Sequence, residues 1–138
     1  MSLARRIAAG HALMLLAVTS LNCIPGPTDA EGRAFGIFAL DRFDDALHFA
    51  SACWAAFAAG RSERAALVFL RTFGALYLAD GLLGLATGSG YLDLGIVLYG
   101  IQPMPLLFKV LANLPHIGLG GLALASGWLL ARRPAAAG

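Results

Sequence analysis

Charge is what this sequence has least of. Asp, Glu, Lys and Arg together make up 13% of its 138 residues, about half the share found in water-soluble domains, where roughly a quarter of residues are charged. A small globule has proportionally more surface to cover, and so little charge cannot cover it. A water-soluble globular domain is therefore excluded. Intrinsic disorder is excluded with it, because that state needs low hydrophobicity and high net charge, whereas 59% of these residues are hydrophobic and the net charge is +2. Lysine occurs only at Lys109, and no basic run exists, so a nucleic-acid partner is excluded. The two cysteines, Cys23 and Cys53, are too few for a disulfide framework or a zinc site. At different depths along their helices they stand beyond disulfide reach and read as inert packing residues. Catalytic motifs are lacking too. There is no CxxCH for covalent haem attachment and no nucleophile elbow. Gly88-Ser89-Gly90 has neither the Lys nor the strand of a phosphate loop, and reads as a turn. No catalytic residue and no metal site are assigned.

What the chain does have is long apolar runs, with a mean hydropathy of +0.74. A membrane-spanning helix needs about 20 largely apolar residues, and four stretches qualify: about 7–24, 43–60, 65–86 and 114–131. Pro25-Gly26-Pro27 stops the first, Arg61-Ser62-Glu63-Arg64 separates the second from the third, and Arg132-Arg133-Pro134 ends the fourth, with a frayed tail from Pro134 to Gly138. The expected fold is all-α, a single integral membrane domain over 1–138 built as a four-transmembrane-helix bundle. Residues 88–112 are also apolar, but Pro103 and Pro105 break their centre. They read as an outer loop, with a short interfacial helix carrying Tyr91, Tyr99 and Phe108. Residues 1–24 could instead be a signal peptide, yet no A-x-A-like cleavage site follows.

Charge near span ends sets orientation, because Lys and Arg stay cytoplasmic. Arg5, Arg6, Arg61, Arg64, Arg71, Arg132 and Arg133 gather at one side; Asp29, Glu31, Asp41, Asp44, Asp45 and Asp93, with Arg33, Arg42 and Lys109, gather at the other. Both termini are therefore expected inside. Spans two and four also open alike. Asp45-x-x-His48 and Asn113-x-x-His116 each precede an Ala- or Gly-rich run, one tryptophan (Trp54, Trp128) and arginine, which suggests two repeated α-hairpins.

Ionisable residues inside the spans are His11, His48, Asp80 and His116. Such residues are costly in lipid and normally turn inward toward partners. At about 1.5 Å of rise per residue, His48, Asp80 and His116 fall in one thin outer layer, with His11 away toward the cytoplasmic end. Helical spacing puts His48 on a face with Asp44, Asp45, Ser51, Ala52, Ala55 and Ala59, and Asp80 on one with Phe73, Tyr77, Gly84 and Thr87. His116 shares its face with Asn113, Gly120, Ala123 and Gly127. Small residues beneath a polar one mark close helix contacts; Gly74, Gly81 and Gly88 repeat every seven residues beside the Asp80 face. The resulting intramembrane cluster is Asp45, His48, Tyr77, Asp80, Asn113 and His116.

Three roles suit that cluster. The first is a hydrogen-bonded clasp between hairpins, with Asp80 accepting from one or both histidines, in a small accessory subunit packed within a larger membrane complex. The second is axial ligation of haem b or a chlorin such as bacteriochlorophyll by His48, His116 or both, since imidazole is a common axial ligand. The third is a small proton-coupled transporter or membrane enzyme centred on Asp80. Bound lipids are expected in each case, with the bilayer and other membrane subunits as partners.

With Asp45-x-x-His48 and Asn113-x-x-His116 placed on spans two and four, residues 35–131 resemble a family of bacterial four-helix membrane proteins grouped only as a domain of unknown function. The likeness includes Phe73-Gly74-Ala75-Leu76-Tyr77 and Gly81-Leu82-Leu83-Gly84-Leu85; Asp45 stands where that family often has Asn. The resemblance implies the four-helix fold and a bacterial inner membrane, and it implies no activity.

Overall fold

A computed structural model describes residues 1–24, 26–30, 33–39 and 42–132. Pro25, Glu31, Asp41, Arg133 and the tail from Pro134 to Gly138, all used in the sequence reading, lie outside the described residues. The described residues are mainly helical. The helices are α1 (Leu3–Ser20), α2 (Arg42–Arg61), α3 (Glu63–Thr87), the short α4 (Gly95–Tyr99) and α5 (Leu106–Ala131). A two-stranded ribbon, β1 (Arg33–Ala34) with β2 (Phe38–Ala39), interrupts the α1–α2 connection. Two helices, α3 and α5, are long and apolar enough to cross a membrane. By the same measure α1 and α2 fall short, since Arg5 and Arg6 enter the first, and Arg42, Asp44 and Asp45 the second.

Packing is most extensive between α1 and α2 and between α3 and α5, so the helices form two antiparallel pairs that touch each other more sparingly. The seams are made of small residues. Ala4, Ala8 and Ala12 of α1 meet a stripe of α2 that includes Ala52, Ala55, Ala58 and Ala59, all of them buried. On α5 the buried residues are Gly120, Ala123 and Gly127, the stripe that helical spacing assigns to the His116 face. A Cβ on Gly120 would collide with the backbone of Leu78, and one on Gly74 with the backbone of Leu124. Two helix backbones therefore run in direct contact, which only glycine permits. Large apolar side chains point the other way: Leu13, Phe49, Phe57, Leu82, Leu122 and Leu129 are all more than half exposed. The helix seams are lined by small residues, while Leu15, Phe69, Leu70, Phe73 and Tyr77 fill the core between them.

Three boundaries differ from the sequence reading. The fourth helix begins at Leu106, not near residue 114, so residues 106–112 belong to it and not to the loop. Pro105 sits at its N-cap, where a missing amide costs nothing. Pro115 lies inside the helix, where it withdraws only the amide that the Leu111 carbonyl would have accepted. The apolar loop thus ends before Leu106. Its short helix carries Tyr99 but neither Tyr91, which precedes it, nor Phe108, which lies on α5. Gly88 does not continue the α3 glycine face; at φ +84° it caps the helix C-terminus. Cys23 and Cys53 are free and exposed, so neither is a packing residue.

Candidate functional site

One end of the bundle gathers the polar side chains. It is formed by the C-terminal ends of α1 and α3, the start of α2, the first half of α5, and the loop around α4. On α3 a turn-by-turn ladder of Phe69, Phe73, Tyr77 and Asp80 faces inward. Phe69 stacks on Phe73 at 4.9 Å between ring centroids, and Phe73 on Tyr77 at 4.0 Å. Spacings of three and four residues place these groups on one face. Trp54 joins the lower end of the ladder edge-on, 5.0 Å from Phe69.

Asp80 ends the ladder and is 1% exposed. One oxygen accepts the Tyr91 and Leu92 backbone amides, at 2.6 and 2.8 Å, and the other meets Nδ1 of His116 at 2.6 Å. A buried carboxylate needs such donors, and charge-assisted bonds are the strong ones. The loop can lie this close because residue 90 is glycine: a Cβ there would stand 2.7 Å from the Asp80 carboxylate. Asp80 thus ties α3 to α5 and to the loop at once.

His48, on α2, is 5% exposed, and its ring lies 5.8 Å from that of His116 and 6.4 Å from that of Tyr77. Its Nδ1 has no hydrogen-bond partner among the described residues. The Tyr77 hydroxyl pairs with Ser51 at 3.0 Å, which links α3 to α2. Of the residues singled out from sequence, His48, Tyr77, Asp80 and His116 come together. Asn113 lies beside them, its carboxamide donating to the Lys109 carbonyl at 2.8 Å while its oxygen occupies the space next to Gly84. Asp45 is half-buried on the same turn of α2, but the carboxylate that reaches the site is Asp44. His11 stands apart, as expected: it bonds the Ile7 and Leu119 carbonyls and abuts Phe73 edge-on at 5.6 Å.

Above this layer lies a cavity of about 650 Å³, within the range of small-molecule sites. Its polar wall includes Asp44, His48, Asp80, Asp93, Asn113 and His116; Phe35, Ile37, Tyr99 and Met104 supply apolar wall. The cavity is the feature that sequence missed, because its wall comes from segments about 100 residues apart. Two non-glycine residues there, Phe35 at φ 55° and Leu94 at φ 65°, hold left-handed backbone, an uncommon conformation that clusters at functional sites. Nearby, partial burial and the Asp80 charge push the Tyr91 phenol above its ordinary value.

One of the expected roles is ligation of a tetrapyrrole by both imidazoles as an axial pair. Such a pair must aim nitrogens at one point from opposite faces of a macrocycle. Here the rings meet edge to face at 68°, with Nδ1 of His116 taken by Asp80 and the Tyr77 ring 4.9 Å from His116. This arrangement does not fit ligation of one tetrapyrrole by both histidines. Among the described residues, no group of three or more His, Cys, Asp or Glu could hold a metal ion. No known protein family matches the chain, and neither does any curated protein or solved structure.

Proposed function

We propose that this chain is a four-span protein of the bacterial inner membrane, kin to the uncharacterised family it resembles, with both termini cytoplasmic. It acts as an accessory component that holds a small lipophilic ligand in its outer cavity without transforming it. The observation that carries this reading is the cavity itself, walled by apolar side chains and backed by a buried polar layer. Lipid as the surrounding solvent is supported by the many large apolar side chains left exposed, among them Leu13, Phe49, Phe57, Leu122 and Leu129, and by glycine and alanine at the closest helix contacts. At about 1.5 Å per residue the 18 and 20 residues of α1 and α2 span about 27 and 30 Å, close to the hydrocarbon thickness of about 30 Å. The arginine-rich end, with Arg5, Arg6, Arg61, Arg64, Arg71 and Arg132, lies opposite the cavity, which supports the orientation. Asp80 is engaged by two amides and an imidazole, which argues against a freely titrating carboxylate of the kind a proton-coupled carrier uses.

The two native cysteines test the topology. In spheroplasts under reducing conditions, a membrane-impermeant maleimide should label Cys23, at the outer end, and spare Cys53, midway along α2. Equal labelling of both, or labelling of Cys23 only after lysis, would overturn the arrangement. Mass spectrometry of solvent extracts tests the ligand. A small lipophilic molecule should accompany the purified chain and be lost from a folded Ala112→Phe variant, in which the cavity wall is filled. An extract identical for both proteins would count against a ligand-holding role.

A further inference from the structure

The charges of the cavity wall indicate what the ligand carries. Among the described residues three carboxylates line it, Asp44, Asp80 and Asp93, and neither Lys nor Arg does. Lys109, a cation of this end, donates to the Ala86 carbonyl at 3.2 Å. Asp80 is already matched by two amides and His116. Asp93 accepts only a local amide, that of Gly95, at 2.9 Å, so its charge faces no lining cation. Asp44 is 8% exposed and stands one helical turn before His48, on the same face of α2. His48 is the second sign of a missing guest: its ring is 95% buried in the cavity wall, and among the described residues its Nδ1 makes no hydrogen bond of good geometry, the Asp44 backbone offering only a loose contact. Leaving a buried polar atom unmatched is unfavourable, and a ligand donor is the simplest match.

We propose that the cavity binds a lipophilic ammonium, an apolar body carrying one protonated amine, with the amine seated between Asp44, Asp93 and His48. The chemistry is complementary. An ammonium offers up to three N–H donors and no acceptor, while a carboxylate is acceptor-only and a neutral imidazole keeps one acceptor nitrogen. Apolar walls lower the local dielectric and strengthen the attraction between opposite charges. An anionic head, such as a phosphate, meets only repulsion from the same wall. This inference rests on the ligand-holding reading above and names the class of its ligand.

Three cage compounds of matched shape separate the two claims: 1-adamantylamine, 1-adamantanol and 1-adamantanecarboxylate, titrated calorimetrically into the full-length protein in nanodiscs of zwitterionic lipid. The amine should bind at least ten times more tightly than the alcohol, and the carboxylate should not bind. Asp44→Asn should weaken the amine at least tenfold and leave the alcohol unchanged, with helicity and melting temperature as the check on folding. If Asp44→Asn does not fold, Asp93→Asn is read in the same way, since its side-chain oxygen can still accept the Gly95 amide. Amine and alcohol bound equally would overturn the ammonium while leaving a ligand cavity in place. Amine preference that survives both carboxamide variants would overturn the proposed seat. If none of the three binds, the ammonium proposal and the ligand-holding reading both fall.

Discussion

The two ends of this bundle are built from the same helices and behave as opposites. At the arginine end, cations sit on helix-terminal carbonyls. The Arg5 guanidinium donates to Ala59 and Gly60 at 2.6 and 3.0 Å, and Arg71 donates to Gly127 at 3.1 Å while lying 4.9 Å over the Trp128 ring. Between those contacts the helix pairs close on alanine and glycine, with Phe69, Leu70 and Phe73 filling the space between pairs. At the other end Lys109 performs that service, on Ala86, and the interior turns to carboxylates, imidazoles and open volume. The difference teaches where a small helical bundle can place a site. Helices joined by small residues have no room between them, so space arises only where the pairs diverge and loops complete the wall.

Breaking the part shared by both ends should have the largest effect. Gly120→Leu drives a side chain into the Leu78 backbone, and overpacking of this kind costs about 3 kcal/mol; chemical unfolding in detergent should show loss of the folded monomer. Next comes Asp80→Ala, which strands the amides of Tyr91 and Leu92 and the His116 ring, at about 1–3 kcal/mol for a buried group left unmatched. Its damage should be confined to the cavity end. Limited proteolysis should cut between residues 91 and 104 while the arginine end stays protected, and equal sensitivity at both ends would refute the division. Tyr77→Phe removes one buried hydrogen bond, to Ser51, and should lower stability by about 1 kcal/mol without opening the loop. The smallest effect belongs to Arg5→Ala, about 0.3–1 kcal/mol for a cation at a helix C-terminus, read as a small drop in melting temperature that leaves ligand binding intact.

Much of this was legible in the residues. The helices α2 and α3 and their inward faces follow from small or polar residues recurring at three- and four-residue steps, and Asp80 with His116 follows from depth alone. Asp44 and Asp45 could not be ranked, because they precede His48 by four and three residues and both spacings share its face. The start of α5 was obscured by Pro103, Pro105 and Pro115, which read as breakers one by one. In the fold, one is a cap and one is absorbed by a helix already under way. The apparent echo between the Asp45 and Asn113 motifs weakens for the same reason: the first opens its helix, and the second lies two turns inside its own. The cavity could not be read at all, since it depends on contacts between α1, α2, α5 and two loops.

Because one carboxylate fastens a loop and the neighbouring helix together, the roof over the cavity has no independent travel. Lifting it means dragging α5 along α3, and their interlocked glycines oppose that slide. The yielding seam is the sparse one between the two helix pairs, so the proposed guest would be admitted sideways, by a parting of helices instead of the lifting of a flap.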